Sequence, residues 1–531
     1  MNLTWLDIVT FLAFFGVVVG VSMYKSRREQ TGEDFFLASR GLLWPIIGLS
    51  LIAANISSEH FVGMAGQGAG AAGLAIASYE WMAAIVLVFV ALIFLPKFLR
   101  SGIFTIPEYL EYRYNVTART IMAVYTMIIY VGVTIAAVIY SGGLTLQTLF
   151  GDLNNPGHLK LSIWVIGCIA ALYTIWGGLK AVAWADLFQG SALLLGGIVT
   201  TYLGFKAVGG PAHFFEVNAD KLHMILPKDH SVLPWTALLF GLWIPNFYYW
   251  GLNQYITQRT LAAKTLRQGQ LGIIFAAFLK LLIPFIIILP GIMAYQLYSS
   301  QMTGESGTDA AYPLLIRNLV SPGIRAFIFA AISGAVISSL ASMLNSASTI
   351  FTMDIYRRLW KKDASQKSLI NSGRITTAIF ALIGCLIAPV LSDPSLKGIF
   401  TYIQEFQGFI SPGILSAFVF GLIFKRSPAA AGVTALILNP IIYGVLLVFF
   451  GNLPFFENLG LTITSIAFLN RMAITFIIIF LVMGVITYLK PLPQPKKMPV
   501  REEFDMKATP AVIWLGALVI GITLTLYGIF W

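Results

Sequence analysis

From Trp5 onward the chain is a succession of apolar runs of about 20 residues, each long enough to cross a hydrocarbon core ~30 Å thick. Polar residues gather between the runs instead of alternating within them. That is the pattern of helices in lipid, where each segment must satisfy its own backbone hydrogen bonds. The runs predict about fourteen transmembrane helices, over 5–25, 42–66, 75–96, 118–148, 160–180, 185–207, 234–256, 270–298, 324–357, 370–391, 398–424, 428–450, 467–489 and 509–530. The fold class expected is an all-α polytopic membrane protein with one transmembrane domain over 1–531. The first run carries Asp7 instead of a basic start and has no small-residue cleavage site after it, so it is expected to remain as a first span.

Two runs are interrupted. The second breaks near Ala53–Ser58, and the seventh breaks within GLWIPNFYYWG (241–251), where Pro245 removes a backbone donor. Interruptions at matching places in two halves of a polytopic chain suggest inverted repeats with a solute site at the breaks, near the bilayer midplane. The division expected is an extra helix at 5–25, a first five-helix repeat over 42–207, a second over 234–424, and C-terminal helices over 428–531.

Composition sharpens this picture. The chain is 58% hydrophobic and 11% charged, with mean hydropathy +0.82. A net charge of +11 does not point to nucleic acid, because the basic residues sit in short linkers. With the N-terminus outside, about 25 of the 34 Lys and Arg residues fall on the inner side, including KSRR (25–28), Arg259, Lys264, Arg267 and RRLWKK (357–362). Both termini are then expected outside. Cys168 and Cys385 both lie in apolar runs and are expected as single buried thiols.

Polar groups at membrane depth are costly and usually functional. Four stretches carry them: Asn55-Ile56-Ser57-Ser58-Glu59-His60, SYEWM (78–82) with Glu80, Lys280 in IIFAAFLKLLIPF, about ten residues into the eighth run and so near the bilayer centre, and Gln404 in FTYIQEF. The alternatives are structural. Asn, Ser and Gln often join helices for about 0.6 kcal/mol each. Glu80 and Lys280 pair equally well as a purely structural ion pair, and His60 as a packing residue. Against these stands the combination, since separate spans each bring the donors and acceptors that a polyhydroxylated solute needs. Tyr249 and Trp250 offer aromatic faces for its C–H surface. The Ser-rich stretch 331–356, with Ser338 and Ser339 mid-span, reads either as small-residue helix packing or as oxygen ligands for a hard cation, joined by carbonyls freed at the second-span break.

The segments SLIAANISSEHFVGM, LAIASYEWM, YYWGLNQYITQRTLAAK, SSLASMLNSASTIFTMDIY and YIQEF resemble the sodium/solute symporter family, and most of all its sugar-transporting branch. The resemblance implies a LeuT-type fold of two inverted five-helix repeats with flanking helices, working by alternating access. It implies sugar ligands at Asn55, His60, Glu80, Asn246, Lys280 and Gln404, with Tyr249 stacking on the sugar as an inner gate. It implies an outer closure by Met64, Tyr79 and Phe400. Sodium would be held by the carbonyls of Ala53, Ile56 and Ala335 and the hydroxyls of Ser338 and Ser339, with Asp186 near the exit path. For Asp186 a helix N-cap is the structural alternative. The chain departs from its sugar-transporting relatives in places. His60 stands where bacterial galactose-transporting members have Gln, and matches the animal glucose-transporting ones; Ala84 replaces a Ser. Ala341 stands where members with a second sodium site have a hydroxyl, which implies one sodium per sugar.

The expected function is therefore sodium-coupled import of a glucose- or galactose-type hexose across a cell membrane, with a bacterial inner membrane as the expected location. The solutes that remain open within the same fold are inositol, sialic acid, proline or a carboxylate. A transporter-like sensor is disfavoured because no soluble output domain is present. No GxxxxGK[ST] phosphate loop occurs, which disfavours an ATP-driven pump. An enzyme is disfavoured too, since the four histidines other than His60 lie in outer loops without metal-ligand spacing.

Overall fold

The computed structural model describes residues 5–26, 31–57, 59–150, 156–230, 233–302, 307–392, 399–450, 466–502, 505–507 and 509–531. Among these residues, eleven helices are long and apolar enough to cross a membrane, and a twelfth is counted if the bent pair Trp44–Asn55 and Glu59–Ala69 is one span. The fourteen expected helices are thus not all continuous. The seventh appears as a π-turn at Ala237–Gly241 followed by helices Trp243–Leu252 and Gln254–Leu261. The eleventh appears as Ile399–Gln407 and Ser411–Ile423. Hydropathy registers apolar length and is blind to a backbone that leaves the helix in mid-run.

The second-span break has a local cause. Ile56 is extended (φ −80°, ψ 110°), and the two helix halves diverge by 61°. Short polar side chains at this point offer the backbone partners other than the next turn. The Ser57 hydroxyl accepts from the Glu59 N–H at 3.3 Å, and His60 Nδ1 faces the Ser57 N–H at 3.5 Å. The Ser57 N–H would reach the Ala53 carbonyl in an unbroken helix, so that carbonyl is released. In the seventh span the extended residue is Asn253 (φ −80°, ψ 121°), just beyond the stretch where the sequence placed the break. Pro245 sits in the first turn of Trp243–Leu252, where a missing N–H costs the helix nothing.

Helices differ sharply in how much of them the protein covers. The most apolar window of Ile324–Trp360 is 94% buried, against 11% for Ile8–Ser26 and 22% for Pro510–Ile529. The first belongs to the centre of the bundle; the others offer most of their side chains to lipid. The helix Leu266–Tyr298 lies against the broken span so closely that a Cβ on Gly291 would stand 2.9 Å from the Ala65 carbonyl carbon. Only glycine permits that backbone-to-backbone approach.

The expected fifth and sixth spans form one helical stretch, Pro156–Ala207, sharply bent at Gly178 (φ 51°, ψ −163°). The linker expected at 181–184 is helical, and Asp186 lies well inside the second arm, so the N-cap alternative does not hold. Cys385 is buried as expected, but Cys168 is exposed on its helix surface. Its apolar neighbours gave no sign of which face meets protein and which meets lipid.

Candidate functional site

Three interrupted spans, the second, seventh and eleventh, and two continuous ones meet around a cavity with about 560 Å³ of empty space, its open mouth included. Asn55, His60, Glu80, Asn246, Tyr249 and Gln404 all line it. These are six of the seven residues expected around a solute, drawn from four separate spans. Met64 and Tyr79 of the expected outer closure line it as well. The side chain of Phe400 lies outside the described residues.

Lys280 is the exception. It is fully buried and does not line the cavity; it stands one layer behind. Its Nζ donates to Glu80 Oε2 and Asn55 Oδ1, and lies 4.9 Å from the centre of the Trp250 ring. The ion pair that the sequence left open as structural is formed, and its carboxylate side faces the cavity. Two desolvated charges are tolerable here because each is paired and further hydrogen-bonded. The same contacts aim Asn55, whose Nδ2 donates to the Tyr249 hydroxyl at 2.9 Å.

The imidazole of His60 sits between two carboxylates. Its Nε2 is 3.6 Å from Glu80 Oε1 and its Nδ1 is 3.9 Å from Glu59 Oε1. Gln404 Oε1 is buried and has no hydrogen-bond partner among the described residues. An orphaned acceptor costs about 1–3 kcal/mol unless a ligand or water meets it. Asn246 is held in place by its Nδ2, which donates to the Leu242 carbonyl at 3.0 Å. On the inner side the Tyr249 hydroxyl accepts from Tyr255 at 2.7 Å, and the Tyr255 N–H donates to Tyr130 at 3.2 Å. A stack of tyrosines therefore floors the cavity.

The residues expected to hold sodium converge beside this cavity. The Ser339 hydroxyl donates to the freed Ala53 carbonyl at 3.2 Å. Ala335, Ser338 and Ser339 share one helix face through i, i+3 and i+4 spacing, and all are buried. Ile56 is buried at the break itself. Ser338 donates to Asp186 Oδ1, and Ser50 donates to Asp186 Oδ2.

Arg259 departs most from its sequence reading. Counted as an inner-linker charge, it is fully buried, with its guanidinium 3.1 Å from Asp186 Oδ2. It also donates to Ser50 at 2.5 Å, to Ser342 and to the Tyr255 carbonyl. Asp186 and Arg259 thus tie four helices together beside the Ser339–Ala53 contact. Sequence reasoning also left Glu59, Thr134, Tyr255, Ile403 and Gln407 unassigned, and all line the cavity. Gln407 was within reach, one turn from Gln404 on the same face. Thr134 carries no comparable signal.

Residues 35–438 match the sodium:solute symporter family. The chain is 42% identical over 464 residues to the sodium/glucose cotransporter of Vibrio parahaemolyticus, covering 82% of this chain and 84% of that one. It is 34% identical over 470 residues to the sodium/myo-inositol cotransporter 2 of Sus scrofa, covering 82% and 68%. Among solved structures, a Na+-coupled sialic acid symporter in a substrate-bound outward-open state superposes with TM-score 0.80 at 22% identity, covering 94% of this chain and all of the other. The two share the LeuT-type fold.

Proposed function

Because this chain belongs to the sodium:solute symporter family and so couples sodium to a small solute, we propose that its solute is a hexose of the glucose or galactose type, imported with one sodium by alternating access. The observation that carries the reading is the cavity. Amide, imidazole and carboxylate groups from four spans surround a space flanked by Tyr249 and Trp250, and one amide oxygen is left unmet. Each sugar hydroxyl is both donor and acceptor, which suits that mixture. The likeness to a sodium/glucose cotransporter supports it further.

Charge narrows the alternatives. Glu59 and Glu80 both line the cavity, while Lys280 stands behind and is engaged by Glu80. An anionic solute would meet two carboxylates, and among the described residues no Lys or Arg lines the cavity beside them, an unfavourable juxtaposition. This favours a neutral polyol over sialic acid or a carboxylate. Inositol, a cyclic polyol with the same hydroxyl chemistry, is the second reading, favoured by the likeness to an inositol cotransporter.

In this reading sodium enters first and takes the Ala53 and Ile56 carbonyls together with Ala335, Ser338 and Ser339. It thereby fixes the angle between the broken span and the helix Ile324–Trp360. That angle sets where Asn55 and His60 present themselves, so ion and sugar favour the same occluded arrangement. Met64, Tyr79 and Phe400 close the outer side. Release inward requires the Tyr249 hydroxyl to leave Asn55, and the cation to pass Asp186 as Arg259 lets go. One charge crossing 100 mV supplies about 2.3 kcal/mol, and a tenfold sodium gradient about 1.4 kcal/mol. Together they sustain about 500-fold accumulation at one sodium per sugar.

The test is uptake of labelled glucose and galactose into proteoliposomes under an inward sodium, potassium or proton gradient. Overshoot with sodium alone, competed by unlabelled hexose more strongly than by myo-inositol, is the expected result. Sodium-driven uptake of inositol with none of either hexose would replace the first reading by the second.

A further inference from the structure

Far from the solute cavity, the inner end of the helix Ile324–Trp360 changes its winding. Phe351–Trp360 forms a π-helix, a wide-turned geometry that is rare beyond a single turn and recurs at functional sites. The widened turns stand off from the neighbouring helix Gln366–Ile387. Between them is a crevice with about 790 Å³ of empty space, lined by Phe351, Tyr356, Ser372, Ile375, Thr376 and Phe380 among others. Its hydroxyls satisfy one another: Tyr356 with Ser368 at 2.8 Å, and Thr352 with Ser372 at 3.3 Å. Toward its opening stand the exposed Asn371 and otherwise apolar side chains. Ile375 and Ile379 form the lip and are 61% and 47% exposed, so the crevice opens sideways, where a membrane helix meets lipid tails.

The mouth of the crevice is cationic. The turn from Arg357 to Lys367 exposes Arg357, Lys361, Lys362 and Lys367, against Asp363 as its one acid. Arg358 of the same turn is engaged elsewhere, donating from Nε to Glu111 Oε1 at 3.0 Å. Trp360 projects beside the charges, 68% exposed, as aromatic side chains do at a membrane–water boundary. Lipid tails alone would wet any such groove. The coincidence of an acyl-sized groove with four free cations at its headgroup end is more selective.

We propose that this crevice binds an anionic phospholipid, its phosphate held by the Arg357–Lys367 turn and one acyl chain laid between Phe351 and Ile379. A zwitterionic headgroup brings its own cation and gains little from the cluster, whereas a net negative one gains at every basic residue near the surface.

The experiment is native mass spectrometry of the purified full-length protein in detergent, offered phosphatidylglycerol or phosphatidylcholine with identical acyl chains. The expected result is retention of phosphatidylglycerol over phosphatidylcholine by about fivefold or more. Replacing Arg357, Lys361, Lys362 and Lys367 by Gln removes that preference. Replacing Lys490, Lys496 and Lys497 by Gln, exposed bases on another inner linker, preserves it. Ser372→Trp, which fills the crevice, lowers retention of both lipids. Equal retention of the two lipids by the native chain overturns the proposal, as does an unchanged preference in the four-residue variant. Loss of preference in the three-lysine control assigns the effect to overall charge, and displacement of the lipid by inorganic phosphate assigns it to a general anion site; either outcome also overturns it.

Discussion

Taking away the Lys280 ammonium leaves the buried Glu80 carboxylate with only the His60 imidazole, 3.6 Å away, beside it. Breaking one partner of such a pair costs about 3–5 kcal/mol, while removing both is often close to neutral. Lys280→Met is therefore expected to lower the melting temperature in detergent markedly, and Lys280→Met with Glu80→Gln to recover most of it. Sugar uptake should stay absent in the double variant, since Glu80 lines the cavity. Recovery of uptake along with stability would make the pair scaffold alone. The sodium side has its own single-residue probe. Ser339→Ala removes one expected oxygen ligand and the 3.2 Å contact to Ala53. The sodium concentration for half-maximal uptake should rise about tenfold, equivalent to about 1.4 kcal/mol. An unchanged sodium activation curve would move the ion elsewhere.

Elements carry the consequences of single backbone positions. Gly178 joins the two arms of Pro156–Ala207 at φ 51°, ψ −163°, a region essentially reserved for glycine. Gly178→Ala should cost about 1–3 kcal/mol in backbone strain, visible as a lower melting temperature with solute affinity little changed. The outer half of the broken span is braced from the outer loop, where Lys221 Nζ donates to the Ala69 and Gly70 carbonyls at 2.8 and 2.7 Å. Asp309, from the separate loop after Leu266–Tyr298, packs against Gly66 of the broken span, and burial pushes its carboxyl up to about 6. A raised carboxyl pKa means that the folded state holds the proton more tightly than the unfolded chain does. Its contribution is then complete below the unfolded value near 4 and lost as pH rises through about 6. Hydrogen exchange over residues 65–69, corrected for intrinsic rates, should be slower at pH 5 than at pH 7.5. In an Asp309→Asn chain that difference should disappear.

At the scale of the whole molecule, the inner face is laced shut. Arg40 donates to Glu33 at 2.7 Å, to the Leu261 carbonyl at 3.0 Å, and to the Gly102 and Ile103 carbonyls at 3.1 and 3.0 Å. Arg119 bridges Glu111 at 2.8 Å and the fully buried Asp354 at 2.6 Å, and Thr105 donates to Asp354 at 2.8 Å. These contacts join segments that are distant in sequence, and the alternating access proposed above requires them to part when the side expected to face inward opens. Asp354→Asn removes one of the two carboxylate partners of Arg119 and should shift the population toward the inward-open arrangement. Spin labels on the inner ends of Ile106–Arg113 and Ile324–Trp360 should then report longer distances in the absence of sodium. A distance distribution identical to that of the native chain would mean that the cluster does not hold the gate.

Much of this was legible in the chain itself. Apolar length is a property of a segment, so the membrane helices stand where hydropathy puts them, and a polar cluster such as NISSEHF betrays a break because its side chains compete with the backbone on the spot. The cavity-lining polar residues were legible for the same reason: Glu80 and Gln404 are costly at that depth whatever surrounds them. Packing decided the rest. Asn55 and Lys280 are 225 residues apart, and only the fold reveals that the lysine stands behind the cavity wall. Arg259 reads as a linker charge until Asp186, 73 residues away, is found beside it. Burial of a charge depends on the partner that compensates it, and the partner is supplied by another helix, so no local window of sequence contains the answer.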